Sequence, residues 1–214
     1  ACRRTGINPS RRARERRHRL ARQRPLEGLA FAEHRLFDGV HVSVEDGRRQ
    51  ALVDELDNLA CINRDQVFST GMSNGGYMSY LLACEAPDLI AAAAPVAGAL
   101  GISTTACNPE EVIPLIHIHG TVDSLVPYSA AVSSTDAWAE KAGCVGDPVE
   151  VYNMGIATCV RWDNCSQGGP VELCSVEGID HCWPGQLFCP FGSSTEDLMS
   201  NEVMWDFFQM TTAG

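Results

Sequence analysis

The sequence predicts an α/β fold with a mostly parallel sheet. Short β-prone runs alternate with segments whose apolar residues recur at helical spacing, which is the order that such a fold requires. Several of the runs are apolar throughout, as expected for strands buried on both faces. With 214 residues, the chain is long enough for one domain, or for one domain with an appendage.

The predicted elements follow in order from residue 39 onwards. Leu52, Leu56 and Leu59 recur at helical spacing and predict an amphipathic helix that ends before residue 61. The β-prone runs cover residues 39–45, 66–70, 89–100, 112–120 and 171–176. Further helices are predicted over 74–85, over 134–142 and after Ser200, which we expect to N-cap the closing helix.

The chain is organised around a Gly-x-Ser-x-Gly pentapeptide at residues 71–75. It lies between a β-prone run and a helical segment, which is the strand–turn–helix context of a nucleophile elbow. Gly71 and Gly75 lack a Cβ and would let the strand and the helix close around a strained serine. We therefore expect Ser73 to be a nucleophile and the Asn74 backbone N–H to bind an oxyanion. A glycine-rich turn that happens to contain a serine is the alternative.

Two further residues complete the predicted constellation. A serine nucleophile needs a general base, and the base needs an acid that orients it. Asp123 directly follows the run at 112–120, and His181 directly follows the run at 171–176, so both fall in loops after strands. We expect Asp123 to be the acid and His181 the base. For Asp123, a turn-initiating role is the alternative.

Other acids and histidines fit these roles less well. Asp136 lies in a predicted helix, and Asp163 lies in a loop before the last strand. Asp180 is the immediate neighbour of the predicted base, and adjacent residues of an extended loop point apart. His117 and His119 alternate with isoleucines along one β-prone run, which favours a structural role.

Ten cysteines indicate disulfide bonds in an oxidising compartment, and hence a secreted protein. The sequence contains no Cys-x-x-Cys pair and no histidine at zinc-finger spacing, so we expect neither a metal nor a cofactor. Six cysteines lie within 144–189 and predict that disulfides link the loops of this region. Cys182 with Cys189 and Cys144 with Cys165 are two conceivable pairs, but spacing does not decide the pairing. If Cys2 lies outside the fold, one cysteine lacks a partner.

Charge is divided unevenly along the chain. Residues 1–49 hold 13 of the 16 basic residues and six acids, a net charge of +7; the rest hold three basic residues and 21 acids, a net charge of −18, and the sum is −11. Residues 50–214, with their net charge of −18, repel polyphosphate, so we expect no nucleic-acid substrate. The Arg-rich residues 1–29 are expected to be disordered or loosely helical, with a nucleic-acid- or membrane-binding arm as the alternative. No apolar run is long enough to predict a membrane span.

The motifs together resemble the secreted polyhydroxybutyrate depolymerase and feruloyl esterase group of α/β-hydrolases. The resemblance covers about residues 47–210 and is carried by GMSNGGYM at 71–78, AAPVAG at 93–98, HIHGTVDSLVPY at 117–128, HCWPG at 181–185 and WDFF at 205–208. It implies an α/β-hydrolase fold with Ser73 as nucleophile, Asp123 as acid and His181 as base.

The resemblance also implies a serine esterase that works through an acyl-enzyme. The expected substrate is a neutral ester, a polyhydroxyalkanoate-type polyester or oligomer, with a feruloyl or acetyl ester on plant polysaccharide as the alternative. Tyr128 and Trp183 are predicted walls for an apolar or aromatic substrate, or else packing residues. We expect a monomer. An inactive hydrolase-like fragment or a binding protein is the alternative from another class.

The segment ahead of the elbow departs from the family pattern. Members of this group carry several strands there and a His-Gly type turn whose backbone supplies the second oxyanion donor. We find no such turn before Ser73, and we match nothing in residues 1–46 to the group. We therefore expect residues 47–214 to form the catalytic domain with atypical or missing N-terminal strands, and residues 1–46 to lie outside the fold. A glycine-rich turn from residues 25–48 beside Ser73 would contradict this expectation.

Overall fold

The computed structural model describes residues 46–60 and 62–212. Their helices and strands are α1 (Asp46–Ala60), β1 (Phe68–Met72), α2 (Asn74–Glu85), β2 (Ala92–Val96), β3 (Leu115–Gly120), α3 (Tyr128–Lys141), β4 (Val149–Met154), β5 (Ala157–Trp162), β6 (Val171–Val176) and α4 (Ser200–Thr212). Of the helices in this part of the chain, none combines the length and apolar character needed to cross a membrane.

The strands form one sheet in the order β1-β2-β3-β6-β5-β4. The first four strands in this order run parallel; β5 pairs antiparallel with β6, and β4 pairs antiparallel with β5. This arrangement confirms the predicted α/β fold with a mostly parallel sheet. The loops that follow β1, β3 and β6 leave the sheet at the same edge, because the carboxyl ends of parallel strands share one edge. Within the described residues, β1 is an outermost strand of the sheet, with β2 as its one neighbouring strand.

Helices cover both faces of the sheet. On one face, α2 and α3 pack over an apolar cluster that includes Tyr80 and Trp138, and the Trp138 indole N–H donates to the Ile113 carbonyl at 3.0 Å. On the other face, α4 packs over β1 to β3, and Phe208 stacks on Phe68 with ring centroids 4.2 Å apart. All five residues of β2 are buried, as the continuous apolar run predicted.

Some predicted boundaries agree with the structure and others do not. The helix predicted at 74–85 and the strand predicted at 171–176 have the observed bounds of α2 and β6. Helix α3 starts six residues earlier than predicted, because Pro127 takes the N-cap position with an extended backbone that leads directly into the helix. The β4–β5 hairpin was not predicted.

Two expectations about the helices were wrong. Ser200 is the first residue of α4 rather than its N-cap, and its buried hydroxyl has no hydrogen-bond partner among the described residues. The predicted first helix is present as α1, but Leu52, Leu56 and Leu59 are 63%, 44% and 74% exposed, so they form no buried face. Ion pairs instead tie α1 to the following loop, since Arg64 contacts Asp54 at 2.7 Å and Asp57 at 2.9 Å.

Four disulfides join the cysteines of the described residues: Cys84–Cys107, Cys144–Cys165, Cys159–Cys174 and Cys182–Cys189. Both pairs that the sequence suggested are present. Cys2 and Cys61 lie outside the described residues, as do the predicted strand at 39–45 and the Arg-rich residues 1–29. None of the cysteines that the structure describes is free.

Candidate active site

Ser73 sits in a strained turn between β1 and α2. Its backbone has φ 55° and ψ −116°, outside the regions that non-glycine residues ordinarily adopt. The Ser73 N–H donates to the Val96 carbonyl of the neighbouring strand at 2.9 Å, which holds the turn at the carboxyl edge of the sheet. The surrounding structure thus maintains a conformation that costs free energy by itself, as a nucleophile elbow does.

The glycines around Ser73 allow the strand and the helix to approach closely. A Cβ on Gly71 would lie 2.7 Å from the Gly75 Cα, and a Cβ on Gly76 would lie 2.9 Å from the Val96 carbonyl oxygen. A Cβ on Gly75 itself would meet no atom of the described residues within 4 Å. The predicted close approach is therefore present, but it requires glycine at Gly71 and Gly76 rather than at Gly75.

The predicted oxyanion donor begins helix α2. Asn74 is the first residue of the helix, directly after Ser73, and no side chain caps this end. The N–H groups of a first helical turn have no intrahelical partner, and they lie at the positive end of the helix dipole. The Asn74 N–H can therefore stabilise a negative oxygen formed next to Ser73, and this role stays a prediction. Most of residues 25–48, the range in which a glycine-rich turn would supply a second donor, lies outside the described residues.

Asp123 and His181 form a buried pair. The His181 Nδ1–H donates to the Asp123 Oδ2 at 2.8 Å, and the two residues are 2% and 7% exposed. The other carboxylate oxygen of Asp123 accepts the backbone N–H groups of Leu125 and Val126 at 2.9 and 2.8 Å. With Nδ1 engaged in this way, Nε2 is the imidazole nitrogen that remains to accept a proton.

The structure joins two of the three predicted catalytic residues directly. In the described part of the chain, the Ser73 hydroxyl makes no hydrogen bond with His181. Catalytic hydrogen bonds of this kind often align only when substrate is bound. The three residues follow β1, β3 and β6 at one edge of the sheet, and their catalytic roles remain predictions.

Asp180 connects the loop of the predicted acid to the loop of the predicted base. Its Oδ1 accepts the Ser124 N–H at 2.7 Å, the Ser124 hydroxyl at 2.8 Å and the His181 N–H at 2.7 Å. The Ser124 backbone N–H, followed by the Ser124 hydroxyl, lowers the pKa of the Asp180 carboxyl. Asp180 does not contact the imidazole of His181 through these bonds. Sequence reasoning identified it only as a poor orienter and missed this bridging role.

Gly120 provides a test of how tightly the His181 loop is held. A Cβ at this last residue of β3 would lie 2.2 Å from the Ile179 carbonyl oxygen and 2.8 Å from that of Asp180. We expect Gly120→Ala to displace the loop and to lower kcat for ester hydrolysis about 100-fold, because displacements near 1 Å have effects of that size. Thermal melting of the same sample separates displacement from unfolding. Full activity with an unchanged melting temperature would contradict this packing.

Both predicted substrate walls contact other parts of the protein. The Tyr128 hydroxyl shares a hydrogen bond with the Ser175 hydroxyl at 2.5 Å, and the Trp183 indole N–H donates to the Asn201 side chain at 3.2 Å. Each residue is only half-buried. These contacts account for the positions of both residues, and their roles in substrate binding stay predictions.

Sequence reasoning missed an apolar loop beside the predicted base. The Cys182–Cys189 disulfide closes a loop in which Leu187 and Phe188 are 97% and 79% exposed. Just after it, the Phe191 ring stands edge-on to the His181 imidazole with centroids 5.6 Å apart. These residues could have been found from the sequence, because Leu187, Phe188 and Phe191 are apolar, follow His181 closely and lie on both sides of Cys189.

One group of side chains with metal-ligand chemistry occurs among the described residues. It consists of Cys159, Glu172 and Cys174. The two cysteines form a disulfide, so neither offers a thiolate and Glu172 is the remaining ligand. Burial raises the pKa of Glu172 to about 7, although Arg161 lies 3.6 Å away and opposes the shift.

Comparison with known proteins places these features in a family. A profile of the family described as phospholipase/carboxylesterase matches residues 31–161. The match begins ahead of residue 47, within the segment where the sequence suggested no resemblance. Feruloyl esterase D of Neurospora crassa is 32% identical over 173 residues, which are 80% of this chain and 56% of that protein. Feruloyl esterase B of Piromyces equi is 30% identical over 147 residues, 60% of this chain and 27% of that protein.

Solved structures show the same fold. An acetyl xylan esterase from Aspergillus awamori superimposes with a TM-score of 0.58 at 16% identity, covering 75% of this chain and 66% of that one. The Bacillus cereus carboxylesterase superimposes with a TM-score of 0.50 at 11% identity, covering 83% of this chain and 66% of that one. The chain spans about half the length, or less, of the feruloyl esterases that it matches. These findings confirm the predicted fold and resemblance: the chain belongs to the phospholipase/carboxylesterase family of α/β-hydrolases.

Proposed function

We propose that this chain is a serine carboxylic-ester hydrolase in which Ser73, Asp123 and His181 act together. The observation that supports the proposal most strongly is the buried hydrogen bond between His181 Nδ1 and Asp123 Oδ2. It orients the imidazole at the sheet edge where the strained turn presents Ser73. The names of the relatives, which are esterases, support the same reaction class.

The proposed reaction proceeds through an acyl-enzyme. The Ser73 oxygen attacks the ester carbonyl carbon while His181 Nε2 takes the hydroxyl proton, and the Asn74 N–H stabilises the resulting oxyanion. The tetrahedral intermediate collapses, the C–O bond to the alcohol breaks, and His181 returns the proton to the departing alcohol. Water then attacks the acyl-enzyme with His181 as base, which releases the carboxylic acid and restores Ser73. Asp123 remains ionised and stabilises the imidazolium in both halves.

The proposed substrate is a neutral ester with an aromatic acyl group, such as a feruloyl ester on polysaccharide. Two relatives are named feruloyl esterases, and the Phe191 ring beside His181 offers an apolar surface at the site of bond cleavage. The net charge of −18 on residues 50–214 opposes binding of polyanionic substrates. An acetyl ester of xylan fits the same charge argument and gains less from the aromatic surface.

A polyhydroxyalkanoate-type polyester is the second candidate substrate. Leu187 and Phe188 project into solvent from the disulfide-closed loop next to His181. Exposed apolar side chains favour adsorption to an apolar solid.

The four disulfides of the described residues support the proposal that the protein is secreted into an oxidising compartment. We further propose that the protein acts as a monomer.

Hydrolysis of three esters by the purified chain tests these proposals. We expect turnover of p-nitrophenyl acetate and methyl ferulate, with a higher kcat/KM for the ferulate than for a hydroxybutyrate dimer ester. Phe191→Ala should raise KM for methyl ferulate about tenfold, because one aromatic contact is lost, and should change p-nitrophenyl acetate turnover little. Phe188→Ala is the matched control and should leave methyl ferulate turnover unchanged.

Each outcome of this assay bears on one proposal. A folded sample that hydrolyses none of the esters would overturn the esterase proposal and favour the inactive or binding alternative. Preference for the hydroxybutyrate ester, with Phe188→Ala weakening adsorption to polyester film, would replace the aromatic substrate by the polyester.

A further inference from the structure

A buried line of hydrogen bonds runs from helix α2 to the loop of Asp123. The Tyr80 hydroxyl lies 2.9 Å from His117 Nδ1, and His117 Nε2 lies 3.0 Å from His119 Nδ1. His119 Nε2 lies 2.9 Å from the Val126 carbonyl oxygen and 3.2 Å from Asp123 Oδ2. Tyr80 is 1% exposed, and both histidines are fully buried.

The last acceptor in this line determines where the protons lie. A carbonyl oxygen only accepts, so His119 Nε2 carries the proton. In a neutral imidazole the second nitrogen accepts, so His119 Nδ1 accepts from the Nε2–H of His117. His117 Nδ1 in turn accepts from the hydroxyl of Tyr80. All donors therefore point one way, towards Val126 and Asp123.

Burial supports the neutral state on which this direction depends. It lowers the pKa of His117 well below its ordinary value and lowers the pKa of His119, although the Val126 carbonyl and Asp123 oppose the shift at His119. Burial also raises the pKa of Tyr80, so its hydroxyl keeps the proton that it donates.

His119 contacts the loop of the acid at two points, by one hydrogen bond and by one close approach. Its Nε2–H donates to the carbonyl of Val126, whose N–H donates to Asp123 Oδ1 at 2.8 Å. The same nitrogen faces Asp123 Oδ2, the oxygen that also accepts the Nδ1–H of His181. Asp123 Oδ2 is thus approached by two imidazoles, one from strand β3 and one from the loop after β6.

We propose that His119 is a positioning residue for the Asp123 carboxylate, held in its Nε2–H tautomer by the hydrogen-bond line from Tyr80 through His117. The proposal rests on the proposed function, because it assumes that Asp123 orients the base. Packing alone does not require it: an apolar residue would fill the same space without the cost of burying three polar groups. The strand position that predicted a structural role for both histidines thus also gives His119 a role at the site.

Substitutions at His119 separate positioning from packing. His119→Phe keeps a ring but removes the donor, and we expect it to lower kcat about tenfold to a hundredfold with little change in KM. His119→Gln can place an amide N–H near the lost Nε2–H and should restore most of kcat. Tyr80→Phe, at the far end of the line, should have a smaller effect than His119→Phe.

A double-substitution cycle tests whether His119 acts through Asp123. In an Asp123→Asn background, His119→Phe should add less than a twofold loss, because the group that it positions is already gone. Losses that multiply fully in the double variant, or a Gln variant no better than the Phe variant, would overturn the proposal.

Nuclear magnetic resonance provides a readout that does not depend on turnover. In ¹⁵N-labelled wild-type chain, we expect His117 and His119 to be protonated at Nε2 and bare at Nδ1 between pH 6 and 8. The low-field proton of the His181–Asp123 hydrogen bond should persist in His119→Gln and shift or broaden in His119→Phe. The opposite tautomers, or an unmoved low-field proton in His119→Phe, would overturn the inference even in an active enzyme. An inactive wild type with these signals would instead overturn the proposed function alone.

Discussion

Replacing Ser73 with alanine is expected to abolish ester hydrolysis and leave the fold intact. The substitution removes the oxygen that attacks the carbonyl carbon, and the loss of such a nucleophile lowers kcat by about 10⁶-fold in a serine hydrolase. The Ser73 side chain forms no cap hydrogen bond, so its removal should move the melting temperature by no more than a few degrees. Initial rates with p-nitrophenyl acetate and a melting curve on the same sample measure both effects.

Ser69 provides the matched control for this experiment. It lies on the same strand, β1, and its buried hydroxyl donates to the Ser79 hydroxyl at 3.0 Å. We expect Ser69→Ala to lower the free energy of unfolding by about 1 kcal/mol and to retain activity. Activity near that of the wild type in Ser73→Ala would mean that the nucleophile is another residue.

Replacing Asp123 with asparagine is expected to lower kcat about 10⁴-fold, the effect of this change in another serine hydrolase. The Asp123 Oδ2 accepts the His181 Nδ1–H, whereas an amide NH₂ at that position would favour the imidazole tautomer with its proton on Nε2. That tautomer cannot take the Ser73 proton. Steady-state kinetics with p-nitrophenyl acetate, together with circular dichroism, measure the loss and check the fold.

Asp180→Asn tests the assignment of the acid. Asp180 Oδ1 accepts the Ser124 N–H, the Ser124 hydroxyl and the His181 N–H, and Oδ2 lies 3.1 Å from the same Ser124 hydroxyl. An asparagine Oδ1 can accept the same three bonds. We expect this variant to stay within tenfold of the wild type. If Asp180→Asn were the damaging change and Asp123→Asn the mild one, the two acids would have to exchange roles.

The sequence predicts the elements that carry the site better than those around it. The bounds of α2 and β6 are as predicted, because a Gly-x-Ser-x-Gly turn and a short, mainly apolar run that begins and ends with valine are local signals. The β4–β5 hairpin escaped prediction because β4 is almost wholly exposed and shows no buried face. The early start of α3 depends on Pro127 as an N-cap, which helical periodicity does not reveal.

Hydrogen bonds between side chains that are distant in sequence could not be predicted in the same way. Asp180 and Ser124 are 56 residues apart in sequence, and Tyr80 and His117 are 37 apart. Their contacts depend on how neighbouring loops and layers pack, which no local pattern encodes. The order of Ser73, Asp123 and His181 along the chain was visible because each follows a strand of one parallel sheet.

Labelling with a fluorophosphonate tests the central claim, that Ser73 is the nucleophile, most directly. Trypsin cuts after Arg64 and Lys141, so a peptide of residues 65–141 carries the predicted nucleophile. We expect one adduct per chain, localised to Ser73 by fragment ions, absent from Ser73→Ala and formed far more slowly in Asp123→Asn. An adduct on another serine, or ester turnover that persists without any labelling, would contradict the claim.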